Sequence, residues 1–160
     1  IDLEVILSIL ETFSFNILFT YANADSGGRV INQKIEQFCK IQPAKYKVVK
    51  SLGQVKYLSA MKYVDLLIGN TSSGIIEAAS LKKPVVNIGD RQKGRLRSEN
   101  VIDCNLNSLQ DSIKLALSSS FKNQIKNMNN IYGTGAAADI ILDKLINEPI
   151  SVIKKFRDQP

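Results

Sequence analysis

Chemistry in this sequence concentrates in Ile68-Gly69-Asn70-Thr71-Ser72-Ser73-Gly74-Ile75-Ile76-Glu77. An apolar run, Val64-Asp65-Leu66-Leu67-Ile68, precedes it, and a helical pattern leading to about Leu81 follows, so it reads as a strand, a small polar turn and a helix start. Small residues let a ligand approach the backbone closely, and the first amides of a helix have no internal acceptors. Those amides and the positive end of the helix dipole suit a phosphate. The hydroxyls of Thr71, Ser72 and Ser73 add donors, and Glu77 places a carboxylate one turn in, able to accept hydrogen bonds from paired sugar hydroxyls. The plainer alternative is a well-capped helix, since Ser, Thr and Gly are ordinary at that position.

Two more turns carry unusual residues. Segment 89–97 holds Arg91, Lys93, Arg95 and Arg97 with two glycines; beside a helix N-terminus it would bring a guanidinium onto a diphosphate. Solvated surface charge is its alternative. Segment 21–29 offers Asn23, Asp25, Gly27, Gly28 and Arg29, or else a simple Asx-turn leading into a helix. Gly133-Thr134-Gly135 lacks the third glycine of a dinucleotide fingerprint and does not follow the first strand, so it is a turn. No HExxH, paired CxxC or Walker A motif is present, and a metal site is not expected. The sequence contains no histidine, which removes the commonest general acid–base.

The elements that must position these residues follow from periodicity. Leu3, Ile6, Leu7, Leu10 and Phe13 predict an amphipathic helix over 2–14. The run 16–20 suits a buried parallel strand, and Val30, Ile31, Ile35 and Phe38 a helix ending by Pro43. A strand at 46–49 precedes a helical stripe of Val55, Leu58, Met61 and Tyr63. Strands are expected at 64–68, 84–88 and 101–104, with a helix over 73–82 between the first two. Helices are expected from Asn107 or Ser108 to about Ser118, over 121–128 and over 136–146, the last stopped by Pro149. The tail, 151–160, could dock as a further helix through Val152, Ile153 and Phe156. Strands alternating with helices predict an α/β fold: a Rossmann-like parallel sheet flanked by helices, its ligands outside the carboxyl ends of the strands. Segments 21–29, 69–74 and 89–97 all follow strands and should share that edge.

A chain of 160 residues, 44% hydrophobic and 22% charged, suits one ordinary globular domain. No apolar run approaches the roughly 20 residues of a membrane span. The opening Ile1-Asp2-Leu3-Glu4 has no basic leader, and its lack of an initiator Met suggests a piece of a longer, cytoplasmic protein. Cys39 and Cys104 lack metal-like spacing and read as free thiols. The net charge of +6 favours anionic partners, but the lysines are scattered and Trp is absent, so a nucleic-acid surface is not expected.

The segments 23–29, 69–77, 87–95 and 132–135, in this order and spacing, resemble the UDP-N-acetylglucosamine 2-epimerases, most closely the hydrolysing branch that supplies precursors of sialic acid and related nonulosonates. The resemblance covers nearly the whole chain. It implies the carboxyl-terminal half of the two-domain arrangement called GT-B, with 1–160 a single UDP-binding domain and the amino-terminal domain absent. The implied reaction is anti elimination of UDP across C1–C2 to a 2-acetamidoglucal, followed by hydration, without a cofactor. By position, Thr71, Ser72, Ser73 and Gly74 would meet the diphosphate, Glu77 the ribose, and Arg91 the departing UDP. Leu52 would reach the uracil through its backbone, with Arg95, Asn23 and Asp25 weaker candidates. The family's groups that move the C2 proton, and a histidine near the phosphates, match nothing here, so no catalytic residue is assigned. The expected partners are UDP, a UDP-N-acetylhexosamine, the amino-terminal domain and further copies of the full-length chain. A UDP-sugar glycosyltransferase of the same architecture is the alternative enzyme, and a basic nucleic-acid-binding module the alternative outside enzymes.

Overall fold

The computed structural model describes residues 2–23 and 27–149. Helix α1, Leu3–Glu11, is capped by Asp2, whose carboxylate accepts from the Glu4 amide at 3.0 Å. It leads to β1, Ile17–Thr20, then α2, Gly28–Cys39, and β2, Tyr46–Val49. Helix α3, Gly53–Tyr63, precedes β3, Leu67–Gly69, and α4, Ser72–Ser80, joins β3 to β4, Val85–Ile88. Strand β5, Val101–Cys104, is followed by α5, Leu109–Leu117, α6, Ser119–Ile125, and α7, Ala137–Asn147.

Every strand pairing is parallel. Strand β1 pairs with β2, Ile17 opposite Tyr46, while β4 lies between β3 and β5, with Leu67 opposite Val85 and Val85 opposite Val101. Parallel neighbours need crossovers, which α2 and α4 supply; between β4 and β5 the crossover is the irregular segment 89–100. Each residue of β4 is buried, as a central strand covered on both faces requires. One apolar cluster draws on both strand sets: Leu10, Val86, Ile88, Leu109, Ile113 and Ala116 pack with Ile17, Phe19, Leu66 and Ile68. A second seats α2 on β1 and β2 through Ile35, Phe38 and Tyr46, where the Phe38 and Tyr46 rings stack with centroids 4.8 Å apart.

The structure corrects the expected strand 64–68. Val64 ends α3, its amide still bonded to the Ala60 carbonyl at 3.1 Å, and pairing begins only at Leu67, whose amide reaches the Pro84 carbonyl at 3.0 Å. The apolar stripe expected on α3 is also narrower: Met61 is buried and Tyr57 packs beside it, but Val55 and Tyr63 are exposed. Helix α4 starts and ends slightly earlier than the expected 73–82, because Thr71 takes the cap position. Helix α6 starts at Ser119, capped by Ser118, and stops at Ile125 rather than Met128. Helix α7 forms as expected but buries none of its residues. The docking expected of 151–160 lies outside the described residues.

Candidate functional site

Strand β3 ends on Gly69, whose φ of +148° is a conformation that residues with a Cβ rarely adopt. This bend carries the chain through Asn70 to Thr71, the α4 N-cap, whose hydroxyl oxygen accepts from the Ser73 amide at 3.3 Å. The amides of Ser72 and Gly74 lie in the first turn, where the helix supplies no acceptor. The Ser73 hydroxyl is buried without a hydrogen-bond partner among the described residues. A Cβ on Gly74 would sit 3.1 Å from Val85 Cγ1, so close packing of α4 on β4 accounts for this glycine and leaves only its amide for a ligand. Glu77 is exposed one turn after Ser73 on the same helix face.

The basic segment meets this helix start. Arg91 Nη1 and Gln92 Nε2 both donate to the Asn70 carbonyl, at 3.4 and 2.7 Å. Arg97, by contrast, is committed to the fold. Its Nε pairs with Asp103 at 3.1 Å, Nη1 donates to the Arg95 carbonyl at 2.5 Å, and Nη2 to the Gln92 carbonyl at 2.8 Å. A further contact holds the same segment from outside: the Tyr132 hydroxyl donates to the Leu96 carbonyl at 3.1 Å. Beside it, Asn130 bonds the Ile76 carbonyl at 3.0 Å and the Ser80 hydroxyl at 2.8 Å, tying 130–132 to α4. Arg91, Lys93 and Arg95 remain exposed.

Sequence reasoning missed Gln92 and Asn130. Each is a neutral amide beside more conspicuous residues, and only the fold reveals the carbonyls they hold. Among the described residues, no hydrogen bond joins Leu52 or Asn23 to this junction. Leu52 is half-buried at the N-cap position of α3, followed by Gly53 at φ +63°. Asn23 is exposed after β1, and a Cβ on Gly28 would fall on its carbonyl oxygen, so α2 starts hard against this turn. The N-cap of α2 is Gly27 at φ +87°, and Asn32 accepts from the Ala22 amide at 2.8 Å; the Asx-turn alternative, which turns on Asp25, lies outside the described residues. Asp25 lies outside the described residues. Among the described residues, no cluster of His, Cys, Asp or Glu could hold a metal ion. Cys39 and Cys104 are free thiols, and burial pushes both above their ordinary value.

A family profile described as UDP-N-acetylglucosamine 2-epimerase matches residues 2–146. The chain belongs to the UDP-N-acetylglucosamine 2-epimerase family. This separates it from the glycosyltransferases that share the architecture and from a basic nucleic-acid module. The epimerase-family chain is 43% identical over 122 residues to a GDP/UDP-N,N'-diacetylbacillosamine 2-epimerase (hydrolyzing) of Campylobacter jejuni, covering 76% of this chain and 32% of the relative. It is 34% identical to a UDP-N,N'-diacetylbacillosamine 2-epimerase (hydrolyzing) of Legionella pneumophila, covering 85% of this chain and 35% of that one. The crystal structure of Methanocaldococcus jannaschii UDP-GlcNAc 2-epimerase in complex with UDP-GlcNAc and UDP superposes with a TM-score of 0.67 at 19% identity, covering 90% of this chain and 39% of that one. The fold is therefore shared, and the chain spans about a third of the length of these relatives.

Proposed function

We propose that this chain is the UDP-gripping, carboxyl-terminal half of a hydrolysing UDP-N-acetylhexosamine 2-epimerase of GT-B architecture. The observation that carries the reading is the junction at Asn70, where Arg91 and Gln92 tie the basic segment to the N-terminus of α4. A diphosphate there meets the amides of Ser72 and Gly74, the hydroxyls of Thr71, Ser72 and Ser73, and the Arg91 guanidinium. Glu77 accepts from the ribose hydroxyls and the Leu52 backbone reaches the uracil, with Arg95, Asn23 and Asp25 as the weaker candidate contacts.

In the reaction, a base removes the C2 proton, the C1–O bond breaks, and UDP departs with that electron pair, leaving a 2-acetamidoglucal. Water then adds across the double bond, hydroxyl to C1 and proton to C2 with inverted configuration, giving an N-acetylmannosamine-type sugar. Arg91 and the α4 amides lower the barrier by stabilising the charge that grows on the leaving diphosphate. By the family resemblance, the acidic groups that move the C2 proton lie outside this chain, and its lack of histidine accords with that. The hydrolysing outcome is supported by the Campylobacter and Legionella relatives, whose names specify it. The full-length enzyme is read as a cytoplasmic homo-oligomer.

Calorimetry with UDP, UMP and ADP tests the reading. Preferential UDP binding, weakened by both Glu77→Ala and Arg91→Ala, is expected. Equal binding of ADP and UDP, indifferent to both substitutions, would replace it with a general anion site.

A further inference from the structure

Gln92 is 4% exposed, and the only bond its side chain makes among the described residues is the 2.7 Å donation to Asn70; its Oε1 is buried and unpartnered. A buried amide left half-satisfied is costly, and an apolar residue of the same shape would cost less if filling space were the task. That one bond therefore calls for another explanation. Arg91, the next residue, touches the same carbonyl at the long distance of 3.4 Å and is otherwise exposed, so its own contact is too weak to place it. From the other side, the Gln92 backbone is held by Arg97, itself paired with Asp103 on β5. A continuous line of bonds thus runs from β5 through Arg97 and Gln92 to the residue before the α4 cap.

We propose that Gln92 is a positioning residue: its bond to Asn70 holds the Arg91 guanidinium at the N-terminus of α4, where a nucleoside diphosphate is neutralised. This rests on the UDP reading above. The prediction is specific to the diphosphate, because the nucleoside portion is held by other residues.

A double-mutant cycle on the 160-residue chain tests it, with UDP and uridine affinities measured by NMR titration and thermal midpoints recorded for every variant. Gln92→Ala should weaken UDP binding by roughly tenfold, the loss of about one well-made hydrogen bond's worth of placement, while uridine affinity stays within twofold. In an Arg91→Ala background the same substitution should change UDP affinity less than twofold, because there is no guanidinium left to misplace. Gln92→Glu keeps the shape but sets a carboxylate against the Asn70 carbonyl, and should repeat the Gln92→Ala pattern. Equal losses for UDP and uridine, or independent effects of the two residues, would overturn the positioning role while leaving the UDP reading intact. Absence of UDP binding by the unsubstituted chain would instead overturn the UDP reading, and this inference with it.

Discussion

Gly74 shows how one small residue can serve packing and chemistry at the same place. A Cβ added here would press on Val85 at 3.1 Å, which the buried β4 side chain must yield to, while its amide lies in the first turn of α4. Gly74→Ala should cost about 1–3 kcal/mol by overpacking, more than the conformational gain from replacing a helical glycine. In a Val85→Ala background the penalty should shrink, because the methyl group in its way is gone. Urea unfolding of the four proteins in this cycle checks it, and additive losses would show that the strain lies elsewhere. Cys104 allows a second test at this scale. Burial raises its thiol above the ordinary 9.0, only partly offset by the nearby Ser112 hydroxyl, and burial likewise raises Cys39. Well below 9.0 both thiols are protonated in the folded and unfolded chain alike and contribute no pH dependence. Above it the unfolded chain loses these protons first, so stability falls with rising pH. Tyr21, raised by its hydrogen bond to Glu36, adds the same trend only beyond 10.0. Thermal midpoints should therefore decline between 9.0 and 10.0, less steeply for Cys104→Ser.

At the scale of elements, the segment between β4 and β5 replaces a crossover helix with a braced turn. Asp103 is the anchor: its carboxylate takes Arg97 at 3.1 Å and the buried Asn87 amide at 2.6 Å. Within the turn, the Lys93 amide bonds the Asp90 carbonyl at 2.9 Å and the Arg95 amide the Gln92 carbonyl at 3.2 Å. Asp103→Ala should loosen both, speeding hydrogen exchange at Lys93 and Arg95 by roughly tenfold while α5 amides exchange as before. Unchanged exchange would mean that the contacts of Leu96 and Asn70 suffice. The brace also explains why the basic residues of this turn do not act alike: Arg97 is consumed by the fold, which leaves Arg91 and its neighbours for a ligand.

At the scale of the molecule, the described chain ends in a helix with no buried side chain. Ile141 and Leu145 of α7 are 58% and 60% exposed, although their spacing is that of an apolar face. Substituting both with Lys should leave the thermal midpoint within a few degrees, since neither contributes to the core. A marked drop would show that α7 is covered in solution. The absence of histidine bears on the whole reaction. Incubated with a UDP-N-acetylhexosamine, the purified 160-residue chain should bind but release no UDP, as a coupled assay would show. Sustained release would place the proton-transfer groups within this chain.

Much of this organisation is legible without coordinates because it depends on local rules. Helical and strand periods report which faces are buried, and Gly69, Thr71 and their neighbours announce a strand-to-helix turn through backbone freedom and capping. The order of the four segments 23–29, 69–77, 87–95 and 132–135 along the chain also carried the family resemblance, with which the profile match over 2–146 agrees. The late start of β3 was not legible, since Val64 through Ile68 is equally apolar whether it ends a helix or opens a strand, and pairing with Pro84 and Val85 decides between them. Residue type and spacing alone do not separate Arg91 from Arg97, identical side chains in one turn; only the resemblance singles out Arg91, and the physical difference is the distance to Asp103 and to the Asn70 carbonyl. The sequence by itself determined the alternation of elements and the kind of ligand its turns suit. Only the tertiary structure decided which charges remain for that ligand, because hydrogen-bond partners remote in the chain are chosen when the strands come together.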